Sequence, residues 1–188
     1  MTERPTVLVV EDERDLADLY TDWLEEEYDV LTAYSADGAL DYFGSDVDVV
    51  LLDRRLPKSS GDDVLIEIRE SDVDCQIAMV TAVEPDFDIL EMGFNSYVVK
   101  PLTKRDLHDL VHRLLTRGLY NAEVRRYFSL LSKRTRLETT KSPVELESNE
   151  QYQELLDEID DIEERLDHVV GSLEYEDFVA VIRSLNVE

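Results

Sequence analysis

The sequence predicts an α/β protein, a doubly wound five-stranded parallel sheet followed by an α-helical hairpin or coiled-coil extension. Three observations lead there. The short apolar runs VLVV, VVLL, IAMV and YVV recur through the first hundred residues, segments of helical period lie between them, and the charge balance changes sharply beyond residue 104. Strands covered on both faces of a parallel sheet read as unbroken apolar runs. Their regular alternation with helices implies right-handed crossovers and helices on both sides of the sheet.

Each element has its own signal. Leu16, Leu19, Tyr20, Trp23 and Leu24 fall at i, i+3, i+4, i+7 and i+8, and Leu107, Leu110, Val111, Leu114 and Leu115 repeat that spacing, so both segments are amphipathic helices. DVLTA at 29–33 supplies a further strand. Helices near 36–43, 62–70 and 86–93 complete five βα units that end at about Arg117. The expected division is a first domain over 1–117 and a second over 118–188, with Gly118 at the joint.

Beyond that joint the composition splits by sign. From Lys104 to Lys141 there are 10 basic and 4 acidic residues, and from Ser142 to the end there are 2 basic and 15 acidic. Val124, Tyr127, Phe128 and Leu131 lay an apolar stripe on the basic segment. Ser142-Pro143 with Glu145 reads as a helix start, and Ser148 with Gln151 is a second candidate. Leu155, Ile159, Ile162, Leu166, Val169 and Leu173 alternate spacings of four and three, the seam of a coiled coil, which Gly171 weakens. Phe178, Val181, Ile182 and Leu185 suggest a short final helix. The opposed charges and apolar stripes predict that a basic helix near 119–138 folds back on an acidic helix near 149–170. Exposed ion pairs are individually weak, so the seam must supply the stability while charge sets the pairing.

Charge and cysteine content bound the setting. The net charge is -26, from 45 acids against 19 Lys plus Arg, of which only 5 are Lys. Such an excess self-repels in dilute buffer, whereas at molar salt the screening length falls to roughly 3 Å. A salt-rich cytoplasm is therefore the simplest reading, with an acidic partner surface as its competitor. The single Cys75 excludes an internal disulfide and reads as a small buried side chain. The polar opening MTERP followed by a strand leaves no room for a signal peptide, and no apolar run approaches bilayer length, so no membrane partner is expected.

The strand ends carry the chemistry. The first run ends at Glu11 and Asp12, the third strand at Asp53, the fourth at Thr81, and the fifth at Lys100 followed by Pro101. In an open parallel sheet the carboxyl ends share one edge, where ligands bind. If the three carboxylates lie within ~4 to 5 Å, each charged pair costs roughly 3 to 4 kcal/mol at an effective dielectric of about 20. A divalent cation removes that cost, and hard oxygen donors in an incomplete shell suit Mg²⁺. Without the metal, one carboxyl should have a raised pKa. Lys100 supplies a point charge and Thr81 a hydroxyl, which together are equipment for phosphoryl transfer onto an aspartate.

VLVVEDE, VVLLDRRLPKSSGDDVL, MVTA and GFNSYVVKP together resemble the receiver domain of two-component response regulators, over residues 5 to about 117. The resemblance implies a flavodoxin-like receiver fold with Asp53 as phosphoacceptor. It also implies Mg²⁺ held by Glu11, Asp12, Asp53 and the main-chain carbonyl of Arg55. Thr81 would contact the phosphoryl group, Lys100 would pair with its oxygens, and Tyr97 would turn inward on activation. Lys100-Pro101 would be a cis peptide. Phe94 departs from the family's usual alanine after Gly93, which bears on packing near the switch and not on the metal site. The remaining chain resembles the HalX-type extension of response regulators from halophilic archaea.

The expected function is that of a response regulator, which accepts a phosphoryl group from a cognate histidine kinase and relays it to the helical tail. Such a protein promotes its own phosphorylation and dephosphorylation and is not otherwise an enzyme. A homodimer through the last receiver strand and helix, or through the tail, fits the pattern. The alternative is a transcriptional regulator that binds DNA directly through Arg125, Arg126, Lys133, Arg134 and Arg136, although no helix-turn-helix or zinc motif is visible. Intramolecular pairing with the acidic helix is favoured over DNA for these residues. A haloacid-dehalogenase hydrolase would need a second acid two residues after the nucleophile, where this chain has Arg55. His108 and His112 at i and i+4 read as solvated helix residues rather than metal ligands, and His168 as polar surface.

Overall fold

A computed structural model of the chain describes residues 4–57, 59–71 and 73–170, with side chains of the final helix described up to residue 166. The described residues separate into two compact units, one up to Leu115 and one from Thr116 onward. The first holds β1 (Thr6–Val10), α1 (Arg14–Leu24), β2 (Asp29–Ala33), α2 (Ala36–Tyr42), β3 (Val49–Leu52), α3 (Gly61–Glu70), β4 (Gln76–Thr81) and β5 (Ser96–Val99). All strands are parallel, in the order β2-β1-β3-β4-β5, which is the doubly wound sheet that the apolar runs predict.

Side chains alternate across a strand, and here the two sets enter two cores. Leu8, Val10, Val50, Leu52, Ile77 and Met79 pack against Ala36 and Ala39 of α2 and Val64, Leu65 and Ile68 of α3. Val7, Val9, Val49, Leu51, Ala78 and Val80 pack on the other face against Tyr20 and Leu24 of α1, together with Leu107, Leu110, Val111 and Leu114 of the last helix of this unit. Each fully buried aliphatic side chain contributes roughly 1.5–3 kcal/mol, so both faces are needed to hold the sheet. Helix starts are fixed locally. The Ser35 side chain accepts from the Gly38 N–H, and Ser60 and Asp63 form a reciprocal capping box at α3.

Several expectations are corrected. Between β4 and β5 the chain forms a short 3-10 helix over Phe87–Glu91 and not an α-helix over 86–93. Pro85 precedes it and Gly93 follows it, and its two large apolar residues face solvent, with Phe87 85% and Leu90 78% exposed. It buries no apolar face that would support a longer α-helix. Leu19 is 41% exposed, although its spacing put it in the α1 stripe. His108 is not solvated: its Nε2 lies 2.7 Å from the Trp23 carbonyl, with Glu27 at 3.5 Å from Nδ1.

Gly118 does not end a helix, because α4 runs unbroken over Lys104–Thr140. An internal glycine costs about 1 kcal/mol relative to alanine, which the flanking helix formers outweigh. α5 (Pro143–Glu147) starts at a Ser142–Glu145 capping box, as read from sequence. α6 (Glu150–Val170) starts after Asn149 rather than Ser148, since the Asn149 side-chain Oδ1 accepts from the Tyr152 N–H at 2.9 Å as a helix cap.

Within the second unit α6 returns along α4. Arg165 donates to Glu123, Arg126 to Glu158, Tyr127 to Glu163 and Tyr152 to Glu138, so the start of the α4 segment from Glu123 to Glu138 meets the far end of α6 and its end meets the start of α6. The pairing is the antiparallel hairpin expected from charge. Its buried cluster is Leu130, Ile159 and Ile162, flanked by Tyr127, Leu131, Leu155 and Leu166. Leu130 takes the inward place that the sequence pattern gave to Phe128, which is 58% exposed and packs edge-on against Tyr127. Gly171, Leu173 and the final helix suggested by Phe178, Val181, Ile182 and Leu185 lie outside the described residues, and the His168 and Val169 side chains are likewise not described.

Candidate functional site

Strand register brings the reactive residues to one edge. Val10 lies opposite Leu52, Leu52 opposite Met79, and Thr81 opposite Val99, so the residues that follow β1, β3 and β5 emerge together beside the end of β4. The Asp53 N–H donates to the Val10 carbonyl at 2.9 Å and the Lys100 N–H to the Thr81 carbonyl at 2.8 Å, which extends the sheet into the site. Lys100-Pro101 is cis, as the resemblance implied.

Glu11, Asp12 and Asp53 each offer a carboxylate oxygen, and these oxygens lie within 4.8 Å of one another. Among the described residues this is the one cluster of three or more such ligands, so His108 and His112 form no second one. Glu11 and Asp53 are buried, while Asp12 is exposed. The Lys100 ammonium donates to both Glu11 Oε2 and Asp53 Oδ2, offsetting part of the charge. Burial pushes the Glu11 carboxyl above the usual glutamate range, and Lys100 pulls it back only in part. For Lys100 burial works in the opposite direction, but hydrogen bonds to Asp53 and Glu11 outweigh it and hold the ammonium above the usual lysine value.

A compact set of hard oxygen donors, two of them buried and one open to solvent, fits Mg²⁺, which retains water in part of its shell. The three carboxylates also carry two more negative charges than the Lys100 ammonium can balance. The Arg55 N–H donates to Asp53 Oδ1 at 2.9 Å, which fixes one carboxylate oxygen and leaves the other toward Lys100. Thr81 is fully buried, and its Oγ1 accepts from the Val83 N–H at 3.4 Å. Tyr97 is partly buried against the α2–α3 core. Its hydroxyl donates to the Val83 carbonyl at 2.9 Å, and its ring centroid is 5.5 Å from that of Phe94. Phe94 therefore fills space beside the expected switch residue.

Two features escaped the sequence reading. A Cβ on Gly61 would fall 2.1 Å from the Asp53 carbonyl oxygen, so only glycine lets α3 start this close to Asp53. The Gly61 N–H uses that approach to donate to the Arg54 carbonyl at 2.8 Å. The Arg54 side chain, to which the sequence assigned no role, is an anchored cation paired with Asp62 and Asp88. Its acidic partners lie 8 and 34 residues away, and the farther pairing had no periodic signal to reveal it.

No helix among the described residues is long and apolar enough to cross a membrane. A family model for the response regulator receiver domain matches residues 7–112, and a second, for the HalX domain, matches 116–182. A Haloferax volcanii protein named as a candidate transcriptional regulator is 50% identical over 134 residues, covering 71% of this chain and 23% of that protein. The response regulator SaeR of Staphylococcus aureus is 32% identical over 115 residues, covering 59% of this chain and 50% of SaeR. The chain thus spans a quarter to a half of the length of these relatives. The crystal structure of the response regulator TrrA of Thermotoga maritima, in complex with Mg²⁺ and a beryllofluoride, matches with a TM-score of 0.53 at 34% identity, over 59% of this chain and 99% of that one. The receiver match covers more than half of the chain and agrees with its sheet order and its acidic strand-end cluster: this protein belongs to the response regulator receiver family of two-component systems and carries a HalX domain after the receiver.

Proposed function

We propose that Asp53 accepts a phosphoryl group from a histidine kinase with Mg²⁺ in attendance, and that the helical tail delivers the output. The supporting observation is the convergence of Glu11, Asp12 and Asp53 within 4.8 Å beside the Lys100 ammonium. In the transfer an Asp53 carboxylate oxygen attacks phosphorus, and the bond from phosphorus to the donor's leaving nitrogen or oxygen breaks with its electron pair. Bound Mg²⁺, held by Glu11, Asp12, Asp53 and the Arg55 carbonyl, would supply charge neutralisation for the incoming phosphoryl oxygens. Lys100 moves its hydrogen bonds from carboxylate to phosphoryl oxygen, and the Thr81 hydroxyl donates to another. With Thr81 drawn over, the Tyr97 ring and its hydroxyl bond to Val83 respond. The protein is a substrate that assists its own modification, not a turnover enzyme.

The excess of 26 negative charges supports a setting in a high-salt cytoplasm. A dimer through the receiver's last strand and helix, or through the tail, would be one route for the output. Direct DNA binding by the tail draws on the name of the Haloferax relative and on the basic residues of α4. It is the weaker reading, since Arg126 already pairs with Glu158 and molar salt removes most of the counterion-release drive for binding DNA.

Incubation with acetyl phosphate and Mg²⁺, read by intact-mass spectrometry, tests the assignment. Wild type gains one phosphoryl group and Asp53→Ala gains none. Equal labelling of the two proteins would contradict Asp53 as the acceptor.

A further inference from the structure

Arg54 follows Asp53 directly, and its guanidinium joins two segments that are distant in sequence. Nε donates to Asp62 Oδ1 at 3.1 Å and Nη2 to Asp62 Oδ2 at 3.1 Å, so the N-terminal turn of α3 holds the guanidinium plane in a two-pronged grip. Nη2 also donates to Asp88 Oδ2, on the 3-10 helix between β4 and β5. The Arg54 side chain is 15% exposed and that of Asp88 51%, so the cation is anchored in the wall and the carboxylate arrives from a surface segment.

That surface segment has little else to hold it. Phe87 and Leu90 face solvent and no residue of the 3-10 helix is buried; local bonds at its ends run from the Phe87 N–H to Asp86 Oδ1 at 2.7 Å, the Ile89 N–H to the Asp86 carbonyl at 3.1 Å and the Met92 N–H to the Ile89 carbonyl at 3.2 Å. The Arg54 guanidinium also lies near Tyr97. Hydrogen bonding to Asp88 first, then to Asp62, and more weakly to Tyr97, holds the guanidinium well above the usual arginine value. Tyr97 in turn is tied to the Val83 carbonyl, at the other end of the same connection.

We infer that Arg54 is a positioning residue for the phosphorylation response: its ion pair with Asp88 latches the β4–β5 connection to α3 in the unphosphorylated protein. The inference rests on the phosphoacceptor reading for what releases the latch. A phosphoryl group on Asp53 replaces its single carboxylate charge with up to two negative charges beside Arg54 and competes with Asp88 for the guanidinium. Asp62, with its two-pronged grip, keeps the cation in place while the singly bound Asp88 is the partner that lets go. The cleft lined by Arg54, Ser60, Asp62, Val83, Glu84 and Asp88, about 440 Å³ in volume, gives the side chain room to turn.

Amide hydrogen exchange of Ile89 and Met92 in the full chain at high salt tests the latch. Asp88→Asn removes the charge at an exposed site, Asp88→Glu keeps it, and Glu91→Gln removes a charge from the same helix without touching Arg54. Without phosphodonor, exchange at the two amides should be roughly three- to fivefold faster in Asp88→Asn than in wild type, the size set by loss of a partly exposed ion pair. Asp88→Glu should restore slow exchange, and Glu91→Gln should match wild type. Adding acetyl phosphate and Mg²⁺ should speed exchange in wild type and change it much less in Asp88→Asn. Exchange in Asp88→Asn equal to wild type, or an equal increase in Glu91→Gln, would overturn the latch. Should wild type take no label by mass, the phosphoacceptor reading fails, and the comparison without phosphodonor still decides whether Asp88 holds the segment.

Discussion

In the receiver every residue of β3 and β4 is buried and an apolar core lies on each face of the sheet, whereas the buried cluster of the tail is Leu130, Ile159 and Ile162 in one seam. The polar contacts differ in the same sense. Around Asp53 they are buried or half-buried and involve backbone groups fixed by the sheet, while those joining α4 to α6 are side-chain pairs at the surface. Surface pairs give at most ~1 kcal/mol each and weaken in salt, but burial in a closed core does not depend on charge. A site that must hold three carboxylates near one another needs the first kind of surroundings. An element proposed to deliver the output by changing partners is better served by the second.

The largest expected effect comes from breaking the receiver core. Ile77 is fully buried between β3 and β5, and Ile77→Ala should cost about 2–5 kcal/mol. Urea unfolding at high salt, followed by Trp23 fluorescence, should show the midpoint fall, and Mg²⁺ binding should be lost in the same transition. Unfolding that leaves Mg²⁺ binding intact would mean the site does not depend on the sheet.

A smaller and more local effect is expected in the tail. Ile162 is as buried as Ile77, yet its neighbours form a single seam that can open without the sheet. Ile162→Ala should separate the hairpin, read as lost cross-linking between cysteines placed at Tyr127 and Ile159. Acetyl phosphate labelling of Asp53 should be unchanged. Loss of labelling in this variant would show that the receiver chemistry needs the tail.

Acidification should sharpen the contrast by the smallest amount. The hydrogen bond from Arg134 holds the Glu138 carboxyl below its usual 4.5, and the backbone N–H of Ser142 does the same for Glu145. A carboxyl with a depressed folded-state pKa contributes stability that is present above the unfolded value and lost as pH falls through the folded one. Tail helix content, followed by NMR, should therefore decline below pH 4.5, and Glu138→Gln with Glu145→Gln should flatten that decline. A decline of the same size in the double variant would assign it to other groups.

The sequence was most legible where one physical cause acts locally. Unbroken apolar runs located the strands, and the acids, threonine and lysine at their ends located the site, because parallel topology sends all those ends to one edge. The opposed charges of the tail located its hairpin. The reading failed where a local signal competed with long-range packing. Gly118 looked like a break between helices, and although the chain divides into its two units close by, one glycine cannot stop a helix that its flanks continue. Phe128 looked like a seam residue, but the partner helix selects Leu130. Arg54 and Gly61 carried no pattern, since the reasons for them are a carboxylate 34 residues away and a carbonyl 2.1 Å from a Cβ that is not there.

The central claim is that Asp53 takes up a phosphoryl group only in a site completed by Mg²⁺ on Glu11, Asp12 and Asp53. Its most direct test is the intact mass of the full chain at high salt after incubation with acetyl phosphate, with Mg²⁺ present and again after chelation. The account predicts one phosphoryl group per chain with Mg²⁺ and none in chelator, with labelling restored when Mg²⁺ is added back. Labelling that persists undiminished in chelator would contradict it.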